Sequence, residues 1–383
     1  MKIGILAITA GGRELAARLA AGLAAEEETR PLAAEVVPVA ASGPAGGTAS
    51  GIAAALQTAW GRYDGLVCIM ATGIVVRSLA PLLVAKERDP AVVVVDERGW
   101  HAISLLSGHL GGGNELARRV ARFSGGRAVI TTASEVRELT PLDLWAAAQH
   151  LVATDKRTMT AASARLVNQG RLKVYSETAV AELPAGLEQV EQAAAAELII
   201  SCRTDWLSKK FIFHPRQLVV GIGCNRGTPA AELAAALDEL LAEQRLAHKA
   251  IRNLATIDLK RDEPGLLALA EQHGWPLTFY AAGQLNQGIM ATQLPAADCL
   301  LAANEQSAGR EKGEIGRPKA NYSPFSAAVH RATGAGGVAE PAALLSSGAA
   351  QLLIRKRKWQ NVTLALALAD FTLSARVRAL PNT

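Results

Sequence analysis

The apolar residues of this chain fall into short solid runs, separated by glycine turns and by stretches with helical spacing. KIGILAIT (2–9) is apolar almost throughout and ends in Ala10-Gly11-Gly12, and the RELAARLAAGL that follows puts Leu15, Ala16 and Leu19 on one helical face. The pattern predicts strand, tight loop, helix, and it recurs. GLVCIM (65–70) leads through Ala71-Thr72-Gly73 into IVVRSLAPLL, then come AVVVVD (91–96) and RAVITT (127–132). Strands apolar on both faces belong to a parallel sheet covered by helices, so a first α/β domain is expected over 1–140.

Residues 141–215 change character. PLDLWAAAQHLVATD predicts a helix, MTAASARLVNQG a second one ending at Gly170, and RLKVYSE and ELIISC predict strands, which together make a small middle domain. From 216 to 383 the pattern predicts a C-terminal α/β domain. It opens with RQLVVGIGCNRGTPAAELAAALDELL, a buried strand, a glycine turn and a helix, where Thr228 suits the N-cap and Pro229 the first helical position. LATIDLKRDEPGLLALAEQHGWPLTFY reads strand, loop, helix, strand. TGAGGVAEPAALLSSGA is a further glycine loop entering a helix, and AAQLLIRKRK and NVTLALALA form a pair of strands with the RKRK run (355–358) as a solvated turn between them. The polar, glycine-rich segment 304–323 has no apolar periodicity and is predicted to be a mobile loop. No fixed-period repeat is present.

Composition narrows the function classes. Half of the 383 residues are apolar and a fifth are charged, which is globular material. A net charge of +5 is mild for this length; it argues against a nucleic-acid partner and favours a small acidic ligand. Cys68, Cys202, Cys224 and Cys299 lie far apart with no zinc-ligand spacing, so no metal site of the protein's own and a reduced, cytoplasmic compartment are expected. No apolar run approaches the ~20 residues that cross a bilayer, and MKIGILAITAGG reads as a strand rather than an export signal, so no membrane partner is expected.

Two glycine motifs fail as nucleotide sites. In SLLSGHLGGGNELARRV (104–120), Gly108 and Gly113 have P-loop spacing, but Asn114 and Glu115 stand where Lys and Ser or Thr are required. GIGCNRG (221–227) is one residue too long for the dinucleotide fingerprint, and the next acid, Asp258, comes some 30 residues on, which disfavours an NAD-dependent enzyme. Four glycine loops nevertheless stand at strand-to-helix junctions: 9–12, 71–73, 108–114 and 223–227. Such loops let backbone approach a ligand, and the helix start that follows favours an anion. Thr72, Gly73, Gly111, Gly112, Gly113, Asn114 and Gly223 are the expected backbone contacts, or else these loops simply make tight turns. His109 is the first acid–base candidate among seven histidines, because its glycine neighbours leave it few packing contacts. Glu115 is placed either to orient it or to serve the start of the following helix. Arg77, in an apolar segment, either clamps a substrate carboxylate or pairs with a structural acid. Arg226 and Lys260 are expected carboxylate contacts, and Thr333 and Glu340, which flank the last glycine loop, are expected substrate contacts as well. His101 reads as a strand-edge residue, Cys224 as a small buried one, and no Ser-His-Asp triad can be assembled.

These stretches resemble the cobalt-precorrin 5A hydrolase (CbiG) family of anaerobic cobalamin synthesis. The resemblance is carried by GLVCIMATGIVVRSLAPLL, DPAVVVVDERGWHAISLLSGHLGGGNELARRVA and AVITTASEV, then by VVGIGCNRGTPAAEL, ATIDLKRDEPGLLALA, TGAGGVAEPAALL and RKRKWQNVTLALA. It implies a three-part chain whose C-terminal α/β domain also occurs as a separate small protein. Glu135 stands where the resemblance expects aspartate, and 304–323 is longer than it expects. The implied reaction opens the δ-lactone joining the ring A acetate to C20 of a cobalt tetrapyrrole, then expels C20 with its methyl as acetaldehyde. Cobalt would arrive with the substrate and no further cofactor is implied. The protein partners left open are a second copy, as a homodimer, and transient contacts with neighbouring pathway enzymes. On chemical grounds His109 would activate water, Glu115 would orient it, and Arg77 or the glycine-loop amides would stabilise the oxyanion. A non-catalytic corrinoid carrier is the alternative reading.

Overall fold

The computed structural model describes residues 1–25, 32–39, 48–85, 88–206, 210–291 and 326–377. The 304–323 segment and Cys299 lie outside the described residues. The chain divides into two compact units, Met1–Trp145 with Arg165–Gly170, and Ala146–Ala164 with Arg171–Thr383.

The first unit is built on strands β1 (Lys2–Ala7), β2 (Ala33–Val36), β3 (Gly65–Ile69), β4 (Ala91–Val95), β5 (His101–Leu106) and β6 (Arg127–Val129). Its helices are α1 (Ala10–Ala25), α2 (Thr48–Ala59), α3 (Thr72–Leu79), α4 (Gly113–Ser124) and α5 (Ala133–Val136); α6 (Leu142–Ala148) follows. The sheet order is β2-β1-β3-β4-β5-β6. Strand alternation sorts the apolar runs between two faces. Ile3, Ile5, Val67, Ile69, Val93 and Val95 pack with Leu15 and Leu19 of α1 and Leu116 and Val120 of α4. Leu6, Leu66, Cys68, Val92 and Val94 pack with Ile52 and Leu56 of α2 and Val75 and Leu79 of α3.

The first four strands are parallel, as the apolar runs predict, but β5 runs antiparallel to β4, and β6 follows β5. Beyond the strand-edge reading of His101, HAISLL carries little strand signal, because it is only half buried, with one fully buried residue, Ala102. Its direction has a consequence for the glycine loops. The loops after β1 and β3 open at the carboxyl edge of the sheet, whereas the 107–112 loop after β5 opens at the opposite edge.

In the second unit, β7 (Leu151–Ala153), β8 (Leu172–Ser176), β10 (Leu187–Gln189), β11 (Leu198–Ile200) and β12 (Phe211–Pro215) form one sheet, ordered β10-β8-β11-β12-β7, with β7 antiparallel; β9 (Ala179–Val180) lies outside it. The helix predicted over 141–155 ends at Ala148. His150, at φ 53°, turns the chain into β7 before α7 (Lys156–Gln169) closes at Gly170. A further sheet, ordered β15-β14-β13-β17-β16, comprises β13 (Leu218–Cys224), β14 (Ile251–Ile257), β15 (Leu277–Tyr280), β16 (Leu352–Lys358) and β17 (Val362–Leu368). Its helices are α8 (Ala230–Glu243), α9 (Pro264–His273), α10 (Ala282–Ala291), α11 (Ala327–Thr333) and α12 (Ala339–Ser347), and β18 (Thr372–Leu373) pairs with β9. Arg355–Lys358 lie within the edge strand β16 rather than in a turn, where exposed charge discourages strand addition. Thr228 does not cap α8: its hydroxyl donates to the carbonyl of Asn225 (2.9 Å), and Pro229 holds the N-cap position.

Candidate functional site

In the first sheet β1 leads to β2 on one side and, through β2 and α2, to β3 on the other. The crevice outside the carboxyl ends of β1 and β3 is therefore a topological switch point, the place where open α/β sheets bind ligands. A cavity of about 370 Å³ lies there, with Ile8, Met70 and Ile103 as apolar wall and Thr9, Thr72, Asp96, Glu97 and His101 as polar lining. A wider groove of about 1100 Å³ shares Asp96, Glu97 and His101 and extends over Arg18, Arg98 and Trp100.

The turn joining β4 to β5 builds the polar wall. Asp96 accepts hydrogen bonds from the backbone N–H of Arg98 (3.0 Å) and His101 (2.6 Å), and its Oδ2 lies 3.5 Å from His101 Nδ1. Burial works against the Asp96 charge, yet the N–H groups of His101, Trp100 and Arg98 outweigh it and hold the carboxyl below the usual carboxylate range. The Arg98 guanidinium stacks 4.9 Å from the centre of the exposed Trp100 ring. Opposite, Ala71 provides no side-chain cap for α3, and the amides of Ile74 and Val75 both turn to its carbonyl. The N–H groups of Thr72 and Gly73 have no acceptor among the described residues. Arg77, exposed, folds its Nη1 back onto the Gly73 carbonyl (2.9 Å) and has no acidic partner among the described residues.

His109 stands at the other edge. β4 has five residues, so the two edges are roughly 17 Å apart at about 3.3 Å per residue. The arrangement in which His109 and Arg77 act on one carbonyl is therefore not what the fold provides. The loop's glycines are also occupied by the loop itself. A Cβ on Gly108 would lie 2.7 Å from Asn114 Oδ1, one on Gly111 2.8 Å from the Ser107 carbonyl oxygen, and one on Gly113 2.6 Å from the Leu106 carbonyl oxygen. Gly112, at φ 82°, supplies the left-handed turn into α4. Asn114 is buried and donates to Thr132 Oγ1 (3.2 Å). Glu115 pairs with Arg118 (3.6 Å), which also binds Glu135 (2.5 Å). Ser134 Oγ lies 3.4 Å from His109 Nε2, while Nδ1 is buried without a partner among the described residues.

The C-terminal candidates form an internal network. Arg226 binds Asp262 (2.7 Å) and the Leu259 carbonyl (3.0 Å), and Lys260 pairs with the fully buried Glu263 (3.0 Å), which also accepts from the Gly227 N–H (2.7 Å). Glu340 is buried and accepts from the Lys356 N–H (2.9 Å), and the Thr333 hydroxyl donates to the Val329 carbonyl (2.8 Å). Gly223 keeps space beside it: a Cβ there would lie 3.8 Å from Thr363 and from Val338. Burial pushes the Cys224 thiol up, not down, so the helix start nearby does not activate it. Asp96 and His101, which line the cavity, were passed over in the sequence, as was Ser134, which meets His109 at the other edge. The signal available for the first two was the acidic turn DERGWH between two apolar runs.

Among the described residues, no group of three or more His, Cys, Asp or Glu is arranged to hold a metal ion, and no helix is long and apolar enough to cross a membrane. Two family models match the chain: Cobalamin synthesis G N-terminal over residues 54–135 and Cobalamin synthesis G C-terminus over 218–298 and 311–367. Cobalt-precorrin-5A hydrolase of Priestia megaterium is 35% identical over 336 residues, 82% of this chain and 81% of that one. Cobalt-precorrin-5A hydrolase of Salmonella typhimurium is 34% identical over 383 residues, 96% of this chain and 97% of that one. Protein CobE of a Sinorhizobium species is 32% identical over 162 residues, 42% of this chain and 85% of its own length. The chain therefore belongs to the cobalamin synthesis G family, the cobalt-precorrin-5A hydrolases, and is an enzyme of cobalamin biosynthesis.

Proposed function

We propose that the chain hydrolyses cobalt-precorrin-5A, opening its δ-lactone and releasing acetaldehyde to give cobalt-precorrin-5B. The observation that carries this reading is the end-to-end match to a relative of that name, which covers 96% of this chain at 34% identity. The chemistry asks for a water activator, donors for the carbonyl oxygen and a surface for a flat, carboxylate-rich ring. The first unit has such groups beside a cavity, with an exposed Arg98–Trp100 pair along the adjoining groove. Cobalt enters this account as part of the substrate, and no resident cofactor takes part.

Incubating the full chain with cobalt-precorrin-5A and following mass and acetaldehyde tests the proposal. Many acetaldehydes per chain are expected. Stoichiometric retention of the corrinoid without acetaldehyde would instead make the chain a carrier.

A further inference from the structure

We propose that His101, held by Asp96, is the acid–base residue of the lactone opening, and that the amides of Thr72 and Gly73 with the Arg77 guanidinium form the oxyanion site facing it. The inference rests on the hydrolase reading above and moves the chemistry from the His109 loop to the switch-point cavity.

His101 is well placed for this role. It lines both the cavity and the groove, so a group there reaches a small reacting centre and the edge of a large ring at once. Its ring is also oriented for it. The Asp96 carboxylate is fixed by two backbone N–H groups and lies beside Nδ1, which leaves Nε2 for water.

The receiving side is equally specific. α3 begins at the cavity with two unclaimed amides and no capping side chain, and Thr72 itself lines the cavity. Arg77 lies over the same turn through its bond to the Gly73 carbonyl and is not neutralised by an acid among the described residues. Donors aimed at developing charge, with no side chain competing for them, are what an oxyanion site requires. The groove beyond offers an exposed indole with a guanidinium stacked on it, and Arg18 farther along, to a flat ring bearing carboxylates.

The step balances without a co-reactant other than water. His101 Nε2 takes one proton from water while the hydroxide oxygen bonds to the lactone carbonyl carbon, whose oxygen takes up the negative charge at the Thr72 and Gly73 amides. Collapse of that intermediate breaks the ring C–O bond. The released alkoxide oxygen takes the proton from His101, giving a carboxylic acid and an alcohol and restoring the neutral imidazole.

The test uses the full chain and cobalt-precorrin-5A, with single-turnover acetaldehyde release and substrate binding, read from the macrocycle's visible absorbance, measured separately. His101→Ala and His101→Gln are each expected to slow release at least about a hundredfold while binding changes by no more than a few-fold, in keeping with loss of a general base. Asp96→Asn should slow release by a smaller factor, and His109→Ala should cost less than either His101 substitution. Release in both His101 variants within threefold of wild type, with wild-type circular dichroism, overturns the assignment, as does a loss confined to His109→Ala. Absence of release from the wild-type chain overturns the hydrolase reading itself, and this inference falls with it.

Discussion

Glu263 shows how a single buried charge shapes the chain around it. Its carboxylate holds the Gly227 amide and the largely buried Lys260 ammonium, so the C-terminal glycine loop is tied to the loop after β14. Removing one partner of such a pair costs about 3–5 kcal/mol, because the other charge is left buried and unpaired. Glu263→Ala should therefore lower the unfolding free energy of the second unit by about that amount, read as a lower denaturant midpoint at an unchanged slope, and an unchanged midpoint would contradict the role given to it. His214 makes a pH-dependent contribution. Burial lowers its pKa, only partly offset by the Ser201 carbonyl 2.8 Å from Nδ1, so the unfolded chain binds a proton first as pH falls. Stability should be fully present above about pH 6.5, the ordinary histidine value, and should decline below it; His214→Gln should flatten that slope in thermal melts. Residue identity alone was misleading in the first unit. The glycines around His109 marked it as uncrowded, yet Ser107, Leu106 and Asn114 fill the space they leave, while His101 was passed over because spacing carries no information on which edge a loop faces.

Between elements, the closest fit is α12 on β13. A Cβ on Gly221 would run into the Ala339 carbonyl of α12, so the helix lies against bare backbone of the strand. Gly221→Ala must push the helix away, and overpacking of this kind costs about 1–3 kcal/mol or more. A lower Tm with faster amide exchange in both α12 and β13 is expected, and a variant as stable as wild type would refute the close packing. Elements of this sort were legible where apolar runs are solid: β1, β3, β4, β13, β14 and β17 stand close to where KIGILAIT, GLVCIM, AVVVVD, LVVGIG, LATI and NVTLALALA predict them. β5 and β12 escaped because their residues are only partly buried or sit between polar stretches, and β7 escaped because a left-handed His150 ends a pattern that otherwise continues as helix. Missing β5 had the larger effect, since its reversal is what separates the His109 loop from the Thr9 and Thr72 loops.

On the scale of the whole molecule, sequence patterning was enough for an α/β chain with sheet-based units and for the family, because the motifs run in order from GLVCIM to NVTLALALA. It was not enough for the proposed site, which depends on strand order: the β2-β1-β3 arrangement creates the switch point, and the β4–β5 hairpin brings Asp96 and His101 to the cavity there. The mild positive charge agrees with a carboxylate-rich substrate but does not select one. Turnover of a cobalt corrinoid lactone by this chain would be read from the acetaldehyde formed per chain with cobalt-precorrin-5A in excess. Several equivalents per chain are expected, with a product heavier by one water and lighter by one acetaldehyde than the substrate. Release of no acetaldehyde, with the substrate recovered unchanged, would contradict the hydrolase reading.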